Sequence, residues 1–167
     1  MATEIERKFL VKADEWRKRS QWKPSLAAGS VYRQGYLSTK KGCSVRVRLV
    51  GNQGYLTIKG LSQGISRAEY EYPIPAEDAQ EMLDKLCDRP LIEKTRYKIE
   101  LAGLTWEIDE FAGENQGLIV AEVELTDENQ TIELPDWIDK EVSDDSRYYN
   151  VNLAQHPYSQ WSENRYS

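Results

Sequence analysis

A mainly β fold with flanking helices is predicted: an eight-stranded antiparallel closed β-barrel with a charged interior. Three observations predict it. Eight segments of strand character follow one another with turn signals between them. Charged residues recur at spacing two along seven of these segments, opposite a largely apolar face. At 167 residues the chain has the length of one domain and can bury a real core.

The elements follow in order. Residues 3–12 form the first strand. Ala13 to Trp22 reads as a short helix with Asp14 near its start, and Lys23 to Gly29 as a loop. Strands at about 30–38 and 43–50 are joined through Thr39-Lys40-Lys41-Gly42. The turn Gly51-Asn52-Gln53-Gly54 leads into a strand at 55–60, and another strand follows at 66–74. Pro75 opens a helix from Ala76 to Cys87, with Ala79, Met82, Leu83 and Leu86 at helical spacing. Strands at 91–101 and 104–111 meet at Ala102-Gly103, and an eighth runs from 117 to 126. The stretches Asp136–Glu141 and Arg147–Gln155 are mixed and read as helical in places, and the tail beyond Pro157 as weakly ordered. One domain is expected over 1–155, with a C-terminal tail over 156–167. Antiparallel strands of this number favour closure, which removes exposed edges.

Composition excludes several classes of function. No segment approaches the ~20 apolar residues of a membrane span, so no membrane partner is expected. The start, MATEIERKFLVKADEW, lacks the apolar core of a signal peptide. Cys43 and Cys87 have no CxxC spacing and are expected to be reduced, consistent with a cytoplasmic protein. With 22 bases against 28 acids the net charge is −6, which argues against a nucleic-acid partner. The single histidine, His156, excludes a multi-histidine zinc site and argues against a Ser-His-Asp triad. Any metal should be hard, oxygen-ligated and held by carboxylates, which points to Mg²⁺ or Mn²⁺.

The alternating charges are the informative feature. The rows are Glu4-x-Glu6-x-Lys8, Arg46-x-Arg48, Lys59 after Thr57, Glu69-x-Glu71, Lys94-x-Arg96, Glu107-x-Asp109 and Glu122-x-Glu124. A half-buried sheet with a solvated charged face explains any one of them. Across seven strands acids pair with acids and bases with bases, and like charges crowded on a strand destabilise it unless a counter-charge lies between. Turned inward, the carboxylates need cations and the bases need anions. Carboxylate pairs make an oxygen cage for Mg²⁺ or Mn²⁺, and the facing Arg and Lys a clamp for phosphate oxygens. A metal bridging to phosphates is what phosphoryl transfer requires.

These residues resemble the CYTH superfamily, the triphosphate tunnel metalloenzymes. The matching motifs are the N-terminal ExExK at 4–8, RQGYL at 33–37, Arg46-x-Arg48, Thr57-x-Lys59 and Glu69-Tyr70-Glu71. They continue with EKTRY at 93–97, Glu107-x-Asp109, Glu122-Val123-Glu124, Glu141-Val142 and Arg147-Tyr148. The resemblance implies a tunnel binding a small-molecule triphosphate with one or two divalent cations. It makes Glu4, Glu6, Glu122 and Glu124 the leading metal ligands, with Asp109 a candidate. It assigns phosphate binding to Lys8, Arg46, Arg48, Lys59, Lys94 and Arg96. Short bacterial members of this kind are similar to inorganic tripolyphosphatases, and that activity is the expectation. The alternatives are a nucleotide enzyme on the same site, either a class IV adenylate cyclase or an organic triphosphatase such as a thiamine triphosphatase, and a non-catalytic polyphosphate-binding module. A homodimer stays open.

Glu4 and Glu6 are expected in catalysis through the metal, and Lys94 by polarising the bridging oxygen or leaving group. Tyr36 either contacts water or substrate at the tunnel mouth or packs in the core. Arg147 is expected as a seventh substrate-binding residue, capping one end of the tunnel, with a surface salt bridge as the alternative. Glu69, Glu71 and Glu107 are either ligands or partners of the basic strands, while the scattered tryptophans and His156 are expected to be structural.

Overall fold

The computed structural model describes residues 3–12, 15, 16, 18 and 29–161. Its elements are β1 (Thr3–Val11), β2 (Ser30–Lys40), β3 (Cys43–Val50), β4 (Gln53–Gly60), β5 (Ser66–Ile74), α1 (Ala76–Lys85), β6 (Ile92–Leu101), β7 (Leu104–Phe111), β8 (Ile119–Glu124), β9 (Ile138–Glu141) and α2 (Asn150–Gln155). The strands run in the order β5-β4-β3-β2-β6-β7-β8-β1, and β5 pairs back on β1. All pairings are antiparallel, so the expected ring of eight strands is present. Most of the expected helix at 13–22, including Asp14 and Trp22, lies outside the described residues, as does most of the loop before Gly29.

Closure is short. β1 meets β5 only through Thr3↔Ala68, Glu4↔Arg67 and Ile5↔Ser66. Farther along the same edge a ninth strand takes over, with Phe9↔Glu141 and Val11↔Ile138. This corrects the mixed, partly helical reading of 136–141. Four residues are too few for an alternation to stand out, and the segment is extended because β1 needs a partner beyond the end of β5. Between the two pairings the Ser143 hydroxyl accepts the Lys8 backbone N–H at 2.9 Å.

Outside the ring, apolar side chains gather under two covers. On β1, β6, β7 and β8 they pack against Trp16 and Trp137. Trp137 lies 6.0 Å from Trp16 and 5.7 Å from Trp106, ring centre to ring centre. On β3 and β4 the cover is α1, through Ala79 and Leu83. The approach is close because Gly54 has no side chain; a Cβ there would stand 2.9 Å from that of Ala79. The helix ends at Lys85, two residues earlier than predicted, and Leu86 is exposed rather than packed. The helices therefore cover only part of the outer surface, and Tyr70 and Tyr72 on β5 remain exposed.

The interior changes character along its length. On β1 the inward row runs Glu4, Glu6, Lys8, Leu10, and on β6 it runs Lys98, Arg96, Lys94, Ile92. Leu10, Ile92, Phe111 and Val120 form an apolar stopper at one end with Val142, Tyr148, Leu153, Ala154 and Tyr158. The C-terminal segment thus closes one end of the ring, leaving a charged cup. The expected weak order beyond Pro157 is corrected for 158–161. Tyr158 is buried, and its ring and that of Tyr148 both meet Trp161 edge-on.

Leu153→Ala should cost about 2–5 kcal/mol, because Leu153 is wholly buried in the stopper. Leu86→Ala, at an exposed position, should stay within about 0.5 kcal/mol. Denaturant unfolding of the two variants checks the contrast, and equal midpoints would mean that the stopper adds nothing to stability.

Candidate active site

The cup is a cavity of about 420 Å³. β1 supplies Glu4, Glu6 and Lys8, β3 Arg46 and Arg48, β4 Lys59, and β6 Lys94 and Arg96. Glu69 and Glu71 come from β5, Glu107 from β7, and Glu122 and Glu124 from β8. Six of the seven expected substrate-binding residues line this one space, as do four of the five expected metal ligands and Tyr36.

Asp109 and Arg147 do not line it. Asp109 is 1% exposed and stands behind the basic wall. Its two oxygens accept from Arg96 at 2.7 and 2.8 Å, and one of them meets Lys94 Nζ at 2.8 Å. Arg147 is on the surface, with its guanidinium paired to Asp145 at 2.7 Å and set against the Trp161 ring.

Burial and crowding set the electrostatics of the bases. Burial pulls Lys94 down to about 7 although Asp109 opposes the shift. Arg48 is lowered to about 10 by burial and by its neighbours Arg46 and Arg96. Burial raises the Tyr36 phenol, which keeps it a neutral donor. Among the described residues the buried Arg46 Nε–H meets no acceptor, so the wall holds an unspent donor. Glu69 and Glu71 stand by bases, Glu69 3.6 Å from Lys59 and Glu71 3.7 Å from Arg46. Glu107 lies 3.2 Å from Arg96.

The carboxylates divide into two kinds. Burial alone would raise Glu4 and Glu122, yet both are held below the usual carboxylate range. Lys59, 2.9 Å away, does this for Glu4, and Lys8 and Arg96 do it for Glu122. Glu6 is pushed well up by burial and then by the charges of Glu122 and Glu4. Among the described residues no basic side chain pairs with Glu6. Nor does any group of three or more His, Cys, Asp or Glu side chains among them converge as a ready cation site. Glu4 and Glu122 are each drawn towards their bases. A cation among Glu4, Glu6 and Glu122 would relieve the repulsion that raises Glu6, and a donor set made only of carboxylate oxygens fits Mg²⁺ or Mn²⁺.

Sequence reasoning missed four contributors. Arg67 lines the cup and approaches Glu4 at 3.4 Å. It continues the β5 row as Arg67-x-Glu69-x-Glu71, so the spacing could have found it. Tyr32 lies under the Arg48 and Arg96 guanidinium groups at 4.9 and 5.1 Å. Gln34 and Asn150 carry no charge to betray them.

Asp109→Asn leaves Lys94 and Arg96 without their shared counter-charge. Removing one member of a buried ionic cluster typically costs about 3–5 kcal/mol, and a loss of that size is expected in chemical denaturation. An unchanged unfolding free energy would show that the two bases need no anchor.

Comparison with known proteins agrees with this geometry. An inorganic triphosphatase of Acetivibrio thermocellus is 53% identical over 163 residues, which is 98% of this chain and all of that one. Another, of Nitrosomonas europaea, is 37% identical over 160 residues, covering 91% and 97% of the two chains. A crystal structure of an inorganic triphosphatase superposes with a TM-score of 0.60 at 32% identity, covering 90% of this chain and 97% of that one. The CYTH domain model matches residues 2–158, and this chain belongs to the CYTH domain family.

Proposed function

We infer that this protein hydrolyses a phosphoanhydride bond of inorganic triphosphate inside the cup, with the help of a divalent cation. The observation that carries this reading is the basic arc of Lys8, Arg46, Arg48, Lys59, Lys94 and Arg96 facing carboxylates across one closed-ended cavity. Two relatives named inorganic triphosphatase, covered almost end to end, support it.

The arc binds the phosphate oxygens. Arg46 and Arg48 offer forked donors, and the lysines act as point charges. Because these groups are already fixed by the ring, they stabilise charge on the substrate with little reorganisation. A water attacks the terminal phosphorus, and the bond from that phosphorus to its bridging oxygen breaks. Orthophosphate and diphosphate leave. Lys94, which lines the cup, would donate to the bridging oxygen as negative charge gathers there, and the neutral Tyr36 hydroxyl to a phosphate oxygen or the attacking water. Glu4, Glu6, Glu122 and Glu124 would hold Mg²⁺ or Mn²⁺, which supplies Lewis-acid neutralisation of phosphate charge when bound. Asp109 orients Lys94 and Arg96 in this scheme and is not a ligand.

The direct test is phosphate release from a panel of triphosphates. Inorganic triphosphate should give a larger kcat/KM than ATP, and EDTA should abolish turnover until Mg²⁺ or Mn²⁺ is returned. Full turnover in excess EDTA after metal-free dialysis would rule out the cation's part. A larger value for ATP would move the substrate to the nucleotides.

Glu6→Gln separates function from fold. The carboxylate it removes is repelled by its neighbours, so the melting temperature should hold or rise. Turnover should fall by at least about tenfold, since even groups that only orient metal ligands contribute about 10–100-fold. Near-parental turnover in a folded Gln variant would remove Glu6 from the ligand set.

A further inference from the structure

The stopper does more than fill one end of the ring, because its polar edge reaches into the basic wall. The turn leading into α2 meets the cup through Tyr149, Asn150 and Val151. Asn150 Oδ1 accepts from Lys94 Nζ at 3.0 Å and from Gln34 Nε2 at 3.2 Å. Gln34 is wholly buried, and its Oε1 accepts from Arg48 Nε at 3.2 Å. One carbonyl oxygen therefore holds Lys94 directly and Arg48 through a single relay. The same turn reaches a third base, since the Tyr148 carbonyl accepts from Lys8 Nζ at 3.2 Å and the Tyr149 ring lies 5.4 Å from that nitrogen.

These contacts answer a specific need. Lys94 has Asp109 on one side and the repelling charges of Arg96 and Arg48 nearby. A lysine is a flexible stem, and an ion pair with a single carboxylate leaves its other donors free to rotate. An acceptor from α2 fixes a second donor of Lys94. The Gln34 amide is held from both ends: its oxygen accepts from Arg48 and its nitrogen donates to Asn150, and the two contacts favour the same orientation.

We propose that Asn150 is a positioning residue for triphosphate, its side-chain oxygen setting Lys94 directly and Arg48 through Gln34. This rests on the triphosphatase reading of the cup. It makes the C-terminal segment part of substrate binding as well as part of the core.

The test compares Asn150→Asp with Asn150→Leu. Aspartate keeps the acceptor at the same reach and suits the first turn of a helix; leucine keeps the size and loses the acceptor. Triphosphate binding by calorimetry, steady-state KM and kcat, and the thermal midpoint are measured on all three proteins. Leucine should raise Kd and KM by about tenfold, since hydrogen bonds to two charged groups are disturbed. Its midpoint should move by less than about 4 °C. Aspartate should stay within about threefold of the parent in Kd, an acceptor-dependent rescue that a purely structural role would not produce. If leucine does not fold, Asn150→Ser, whose oxygen falls short of both donors, carries the same expectation. Parental Kd in the folded leucine or serine variant, or equal losses in the aspartate and leucine variants, would overturn the proposal. Absence of triphosphate hydrolysis by the parent would instead defeat the functional reading. The positioning role is then judged without substrate by hydrogen-exchange protection at Lys94 Nζ and Arg48 Nε, which must fall with leucine and be kept with aspartate for the proposal to stand.

Discussion

Closing eight strands into a ring sends every second side chain of each strand into a shared space, and here that space holds rows of like charge. In an open sheet such rows would turn to water. Inside the ring, Glu4 must find Lys59, Glu122 must find Lys8 and Arg96, and Asp109 must find Arg96 and Lys94. These pairings follow from register. Arg96 stands opposite Asp109 across β6 and β7, and Lys8 opposite Glu122 across β1 and β8. A slip of one residue would turn every charge in a strand out of the ring and bring its apolar face in. The cup is therefore set by the same pairing that sets the fold.

The stopper adds a direction to this arrangement. Beyond Lys94 the inward row of β6 becomes Ile92, and beyond Asp109 that of β7 becomes Phe111. A polyanion entering from the open end would meet the bases of β3, β4 and β6 facing the carboxylates of β1, β5 and β8 until the apolar end stops it. Bases held in the cup lose hydration that exposed ones keep: burial pulls the almost wholly buried Lys94 to about 7, and burial together with the charges of Arg46 and Arg96 pulls the largely buried Arg48 to about 10. Bound phosphate would return part of that lost stabilisation.

Much of this was legible because a period of two translates directly into a face. The rows from Glu4 to Glu124 predicted the ring, its charged lining and the six bases that meet there. What was not legible depends on partners from elsewhere in the chain. The β9 strand is extended only because β1 has an uncovered edge, and nothing within Ile138–Glu141 announces it. Asp109 follows the same spacing as Glu122, but its ion is decided by the neighbouring strand, whose Arg96 and Lys94 occupy both its oxygens. Gln34 and Asn150 are uncharged and far apart in sequence, so their meeting at the end of the cup follows from tertiary structure alone.

Carboxylates repel a polyanion, and their two different situations explain why a site for one holds them. Glu4, Glu71 and Asp109 lie beside basic groups and hold them in place, so that the bases stand ordered before substrate arrives. That duty cannot account for Glu6. It forms no close ion pair among the described residues, and burial and two neighbouring carboxylates oppose its charge more strongly than Lys59 and Lys8 favour it. A chain selected only to bind anions would gain by replacing it with a neutral residue. A buried acid under repulsion is costly unless a cation completes its surroundings. The repulsion at Glu6 is thus the feature that the proposed metal-assisted reading accounts for and a simple phosphate clamp does not.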